Sequence, residues 1–102
     1  MSRSPYDLRV SSEAARGLDR LPPKVATAVV EFITSALLLN PQRASKSLRG
    51  ELAGFRVARR GDYRVLLRIH ESPNIVEVVR IAHRADAYCG LQSADPPKDE
   101  SL

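Results

Sequence analysis

From residue 6 the chain alternates, with Tyr6, Leu8 and Val10 on one side and Asp7 and Arg9 on the other, which predicts a half-buried strand over residues 6–10. The period then changes. Ser11 and Ser12 offer N-cap oxygens, Glu13 suits a first helical turn, and Ala14, Leu18 and Leu21 recur at helical spacing, so a short amphipathic helix follows. Pro22-Pro23 ends that helix and opens another, because proline is tolerated in a first turn and not in an interior. The second helix is expected over about residues 23–39, with Val25, Val29, Phe32, Ile33, Ala36 and Leu37 as its apolar stripe and Asn40-Pro41 as its stop.

Residues 41–54 are polar and basic and read as a loop crossing the surface. The two-residue period returns at Phe55. Phe55 and Val57 are read as sharing a face, as are Tyr63, Val65, Leu67 and Ile69 on the next strand. The opposite face is assigned Arg56, Ala58, Arg64, Leu66 and Arg68. Gly61-Asp62 is a tight-hairpin signal and Ser72-Pro73-Asn74 a second turn. Residues 75–81 are nearly continuous in apolar side chains, the mark of a central strand covered on both sides. Glu77 and Arg80 interrupt them, as a pair or at a rim.

The order strand, helix, helix, strand, strand, strand predicts an α+β fold. An N-terminal strand and a helical hairpin pack on one face of a small, mainly antiparallel four-stranded sheet, leaving the other face uncovered. Residues 1–90 are expected to form this single domain. Residues 91–102 have the composition of a disordered end.

Charge sharpens the picture. The 102 residues carry a net +4, and the segment from Gly90 onward contributes −2 of it, so Met1 to Cys89 carry +6. With a pI near 9.7 such a domain is suited to polyanions. No apolar run approaches the roughly 18–20 residues of a membrane span, and MSRSPYDLRV lacks the apolar core of a signal peptide, so a cytoplasmic protein without membrane partners is expected. Cys89 is the single cysteine, and the two histidines have no ligand spacing. An internal disulfide is excluded, and neither a metal nor any other cofactor is expected.

The basic residues concentrate. Arg56, Arg59, Arg60, Arg64 and Arg68 all fall in residues 48–68, and Arg43, Lys46 and Arg49 extend the basic surface upstream. A second group, His83, Arg84, Asp86 and Tyr88, follows at the end of the last strand. A guanidinium is a permanent cation whose planar fork fits phosphate oxygens, and histidine is the side chain whose ordinary charge change falls nearest neutrality. Arginines that hold an anion beside a group that moves a proton suit phosphate chemistry on RNA. Arg56 and Arg64, read as sharing a face, are its centre. Arg68 and Arg80 read as edge cover or ion-pair partners, and His70 as a solvent-facing strand end. Asp86 either orients its neighbours or caps a turn.

Beyond composition and spacing, the chain resembles the RelE/ParE superfamily of bacterial toxins, the RelE side more than the ParE side. The likeness covers residues 5–88. It rests on Leu21-Pro22 after the first helix, Leu48-Arg49-Gly50-Glu51-Leu52-Ala53-Gly54, Arg59-Arg60-Gly61-Asp62-Tyr63-Arg64-Val65 and His83-Arg84-Ala85-Asp86-Ala87-Tyr88. The resemblance implies a toxin that enters the decoding site of the ribosome and cleaves the messenger without metal, by attack of a 2′-hydroxyl on the adjacent phosphate. It also implies a cognate antitoxin that neutralises the toxin, with operator DNA met only through their complex. By position, Arg64 and Arg84 match phosphate-binding arginines, Tyr88 matches a tyrosine that stacks on or orients the nucleotide, and His83 stands where some members place a catalytic histidine. These four are the expected catalytic residues, and Arg43, Lys46, Arg49, Arg56, Arg59 and Arg60 the expected RNA-binding set. Arg56 falls where the best-studied branch has the first of two lysines, whereas Ala58 replaces the second and Leu67 a frequent tyrosine. Two alternatives stand beside cleavage: a ParE-like inhibitor of DNA gyrase, and a catalytically weak toxin acting mainly as an antitoxin-bound repressor complex.

Overall fold

The computed structural model describes residues 6–88. The expectation of a disordered tail and the single cysteine lie outside them. Strand β1 (Asp7–Val10) leads into helix α1 (Ser12–Asp19), and Ser11 makes the junction. Its hydroxyl accepts from the Ala14 N–H at 3.0 Å, closing the helix N-terminus, and donates to the Val79 carbonyl at 2.9 Å, while its own N–H reaches the Val78 carbonyl at 2.9 Å.

Helix α2 (Pro23–Phe32) begins on proline as expected, but its continuation over Ile33–Leu37 is π-helical. The Thr34 hydroxyl donates to the Val30 carbonyl at 2.9 Å and the Ser35 hydroxyl to the Glu31 carbonyl, which loosens the helical ladder at this point. The wider turn shifts the helix phase. Leu37 and Leu38 are therefore both buried and Ala36 is exposed, which corrects the stripe drawn from a constant period.

The expected loop over residues 41–54 is built. It holds a helical turn α3 (Pro41–Ala44), a two-residue strand β2 (Lys46–Ser47) and a 3₁₀ turn (Gly50–Leu52). Strands β3 (Arg56–Arg60), β4 (Tyr63–His70) and β5 (Ile75–His83) complete a sheet in the order β1-β5-β4-β3-β2, with β1 parallel to β5 and the other pairs antiparallel. The sheet thus has five strands and not four. Two polar residues at an edge carry no alternation for a sequence reading to detect.

Facing also departs from expectation. The two-residue Gly61-Asp62 loop pairs Arg60 with Tyr63, so Ala58 stands opposite Val65 and Val57 opposite Leu66. Ala58, Val65 and Leu67 enter the main core with Ala14, Val29, Ile33, Val76, Val78 and Ile81 on the helix side. Val57 and Leu66 look the other way, into a smaller cluster with Ala87, Leu48 and Val79. The second face is therefore partly covered, by the turn that follows β5, and β5 is covered on both sides as its composition predicts. Near Val79 the register slips, with Leu66 opposite Arg80 and Leu67 opposite Val78.

Beyond Val78, β1 has ended and α1 takes its place along β5. Gly17 is buried there, and a Cβ on it would fall well inside contact distance of the Ile81 carbonyl oxygen. Only glycine lets the helix approach that closely.

Candidate functional site

The hairpin register sets the site. Arg59 of β3 and Arg64 of β4 are direct cross-strand partners, and Ala82 of β5 lies on the far side of Arg64. Two guanidinium groups thus leave the same face of the sheet, the face away from the helices. Arg64 is half-buried, and its Nη1 donates to the carbonyls of Gly61 and Tyr63, each at 3.0 Å. Arg84 arrives at the same turn from β5. Its backbone N–H donates to the Asp62 carbonyl at 2.8 Å, and its Nε lies 3.8 Å from Asp62 Oδ1. Arg59, Arg64 and Arg84 are gathered around Gly61-Asp62, and among the described residues Asp62 is the one carboxylate in contact with any of them.

Tyr88 is carried to this face by the turn after β5. The Asp86 N–H donates to the His83 carbonyl at 2.8 Å, which folds the chain back, and Ala87 is fully buried against Val57 and Leu66. Arg80 holds that turn. Its Nη1 donates to the Ala87 carbonyl at 3.0 Å and its Nε to Glu13 Oε2 on α1 at 2.6 Å. Tyr88, the next residue, stays 40% exposed. The sequence suggests Arg80 as edge cover or as one half of a pair with Glu77. In the structure its partner is Glu13, and Glu77 Oε1 instead lies 2.9 Å from His70 Nε2. The available signal was an arginine inside an otherwise apolar strand.

The structure does not unite Arg56 with Arg64. Arg56 stands opposite Leu67, on the helix side, because the turn fixes the parity of β3. Its fork is occupied: Nε donates to Ser45 Oγ at 2.7 Å, Nη1 to Ser47 Oγ at 2.6 Å, and Nη2 to the carbonyls of Gln42 and Ser45 at 3.0 Å each. It fastens α3 and β2 to the sheet. Arg60 also faces the helices, opposite Tyr63, and borders a mainly apolar hollow of about 350 Å³ with Val25, Ala28 and Val29.

His83 is likewise separated from the arginine pair. It stands opposite Tyr63, one position beyond the Arg64–Ala82 pair, so its ring lies on the helix side. The two rings meet edge to face at 5.5 Å and 89°. His83 Nδ1 accepts the Ala85 N–H at 3.1 Å, which places the proton of the neutral ring on Nε2. The ring borders a hollow of about 340 Å³ with Arg20, Leu21 and Asp86.

Of the upstream cations, Arg43 and Lys46 line a cleft of about 230 Å³ with Arg59, whereas Arg49 is exposed at the start of the 3₁₀ turn and outside that cleft. The Arg68 guanidinium lies 4.4 Å over the Phe55 ring, a cation–π contact consistent with a covering role. Among the described residues no three His, Cys, Asp or Glu side chains gather as a metal site, and no helix is long and apolar enough to cross a membrane.

Comparison with known proteins adds a frame. A family model described as the ParE toxin of the type II toxin–antitoxin system parDE matches residues 8–88. Toxin RelE of Mycobacterium tuberculosis is 48% identical over 84 residues, covering 82% of this chain and 87% of that protein. Toxin RelG of the same organism is also 48% identical over 84 residues, covering 82% and 97%. The toxin–antitoxin complex RelBE2 of Mycobacterium tuberculosis contains a chain that superposes with a TM-score of 0.76 at 46% identity, over 83% of this chain and 98% of that one.

Proposed function

This chain belongs to the ParE toxin family of type II toxin–antitoxin systems, and from that premise we propose that it acts in the cytoplasm as a ribosome-dependent mRNA endonuclease. Its cognate antitoxin holds it inactive, as the solved complexes of RelE-type relatives with RelB-type partners suggest by analogy. The observation that carries the reading is the cross-strand pair Arg59 and Arg64, with Arg84 at the same turn, on the face away from the helices.

In the proposed reaction a 2′-oxygen of the messenger bonds to the adjacent phosphorus as the bond to the 5′-oxygen breaks. The 2′-hydroxyl gives up its proton and the departing 5′-oxygen gains one. Negative charge grows on the phosphoryl oxygens between these events, and guanidinium groups placed there stabilise it more than they stabilise the ground state. Arg64 and Arg84 take that role, and Arg59 adds attraction for the strand. Tyr88, exposed at the end of the turn after β5, offers a ring on which a base stacks and a hydroxyl that both donates and accepts. His83, on the helix side, is left out of the reacting set.

One observation favours a second reading. A toxin that poisons DNA gyrase by binding needs no proton carrier, and His83 stands on the helix side while His70 lies six positions from Arg64 along β4, against Glu77. Primer extension on a defined messenger in a reconstituted translation system separates the two. Ribosome-dependent cuts that disappear in Arg64→Ala establish cleavage. A folded protein that arrests growth yet leaves messengers intact establishes the gyrase reading.

A further inference from the structure

Arg80 sits inside the apolar strand β5 with its side chain only 16% exposed. A buried ion pair is weak evidence for stability, because apolar residues of similar volume often pack in its place as well or better. What a guanidinium adds is direction, through a planar fork whose donors meet acceptors at fixed angles. Its acceptors here are informative. Nε donates to Glu13 Oε2 at 2.6 Å, and Nη1 to the Ala87 carbonyl at 3.0 Å. That carbonyl belongs to the peptide unit that continues to Tyr88. A peptide unit is planar, so the bond sets the plane from which the Tyr88 side chain departs.

Both ends of the clamp are tied to the sheet. Glu13 lies in the first turn of α1, and Ser11, which caps that helix, donates to the carbonyls of Val78 and Val79 on β5. Glu13 is thereby held in register with Arg80. At the other end, Ala87 is fully buried with Val57 and Leu66, which lie two positions along their strands from Arg59 and Arg64. Tyr88 follows with 40% of its surface exposed, so its ring is open to a ligand and its place is set mainly through the backbone before it. We propose that Arg80, aimed by Glu13, is a positioning residue that fixes where the Tyr88 ring meets a base of the messenger. Misplacing a group by about 1 Å costs on the order of 10²-fold in rate, even when the change lies away from the reacting atoms. The inference rests on the proposed cleavage and on the part of Tyr88 in it, and Arg80 acts through Tyr88 alone.

The test uses the full chain and two measurements. Primer extension over a time course in the reconstituted translation system compares the parent, Arg80→Leu, Tyr88→Ala and the two combined. Arg80→Leu is expected to slow cleavage about tenfold or more. It should keep a cooperative urea transition, since leucine extends the apolar cluster. With Tyr88 already replaced, Arg80→Leu is expected to cost about twofold or less further, whereas in combination with Arg59→Ala its effect should persist in full. Glu13→Gln, which keeps an oxygen for Nε, is expected to lose less than Glu13→Leu. For the second measurement the tyrosines are replaced by fluorotyrosine. The fluorine resonance of Tyr88, identified by its absence in Tyr88→Phe, is expected to shift in Arg80→Leu while those of Tyr6 and Tyr63 stay in place. Losses that multiply between Arg80→Leu and Tyr88→Ala, or a Tyr88 resonance unmoved in Arg80→Leu, overturn the proposal. Absence of cuts by the parent ends the cleavage reading instead. The resonance needs neither ribosome nor messenger, so it still decides whether Arg80 places Tyr88.

Discussion

Tyr63 and His83 are direct partners across β4 and β5, with their rings edge to face at 5.5 Å, and this pairing puts His83 on the opposite side of the sheet from Arg64. A histidine beside an arginine cluster in sequence is thereby set against an aromatic ring at the end of a strand. His83→Ala is expected to leave messenger cleavage and growth arrest near the parental level while lowering stability by about 0.5–1.5 kcal/mol, the worth of an aromatic pair. Arg64→Ala is expected to reduce cleavage by about 10²–10³, as loss of one transition-state donor does elsewhere. Primer extension alongside urea denaturation distinguishes the two. Abolished cleavage in His83→Ala with stability intact would return the histidine to the reacting set.

Arg59 and Arg64 oppose one another directly, and like charges in that relation are destabilising. Arg59→Ala is expected to raise stability by roughly 0.2–1 kcal/mol at low ionic strength. The gain should fade as salt screens the repulsion. Weaker binding of a single-stranded oligoribonucleotide should accompany it. Thermal melting across a salt series checks the sign, and a variant less stable than the parent in low salt would contradict it.

Arg56 is expected to behave as a structural residue. Losing its four hydrogen bonds to Gln42, Ser45 and Ser47 in Arg56→Ala should lower stability by about 1.5–3 kcal/mol, since bonds to a charged donor exceed neutral ones. Lysine should not restore it, because a point ammonium cannot meet acceptors arranged for a planar fork. Hydrogen exchange should quicken over residues 42–47 in both variants. Unchanged exchange there would show that β2 is held by other means.

Gly17→Ala tests how α1 guards the edge of β5. Alanine is ordinarily the better helix former, yet its Cβ here would collide with the Ile81 carbonyl oxygen. A loss of about 1–3 kcal/mol is expected, typical of overpacking. The shift should appear in the urea midpoint with little change in slope. A stabilised variant would mean that helix and strand separate more easily than their packing implies.

Much was legible in the chain itself. Local signals are strong where period, cap and breaker agree, so β1, α1, the start of α2 and the strands on either side of Gly61-Asp62 fall where the pattern puts them. The family resemblance was legible too, because it lives in the order of motifs along the chain. The hairpin register was also available: a two-residue loop at Gly61-Asp62 pairs Arg60 with Tyr63 and, by counting back, Val57 with Leu66. The apolar Val57 hides that register, because the pattern suggests a single core and Val57 fits it.

Tertiary structure decided the rest, for one reason. The second cluster beneath Ala87 forms only when the turn after β5 folds back onto the sheet, a contact between residues far apart in sequence that no local period encodes. That fold-back gives Val57 a core of its own and makes Arg80 the clamp of the turn. It also brings Tyr88 to the face of Arg59 and Arg64. Sequence by itself determined which residues could bind phosphate; the register and the returning chain determined which of them stand together.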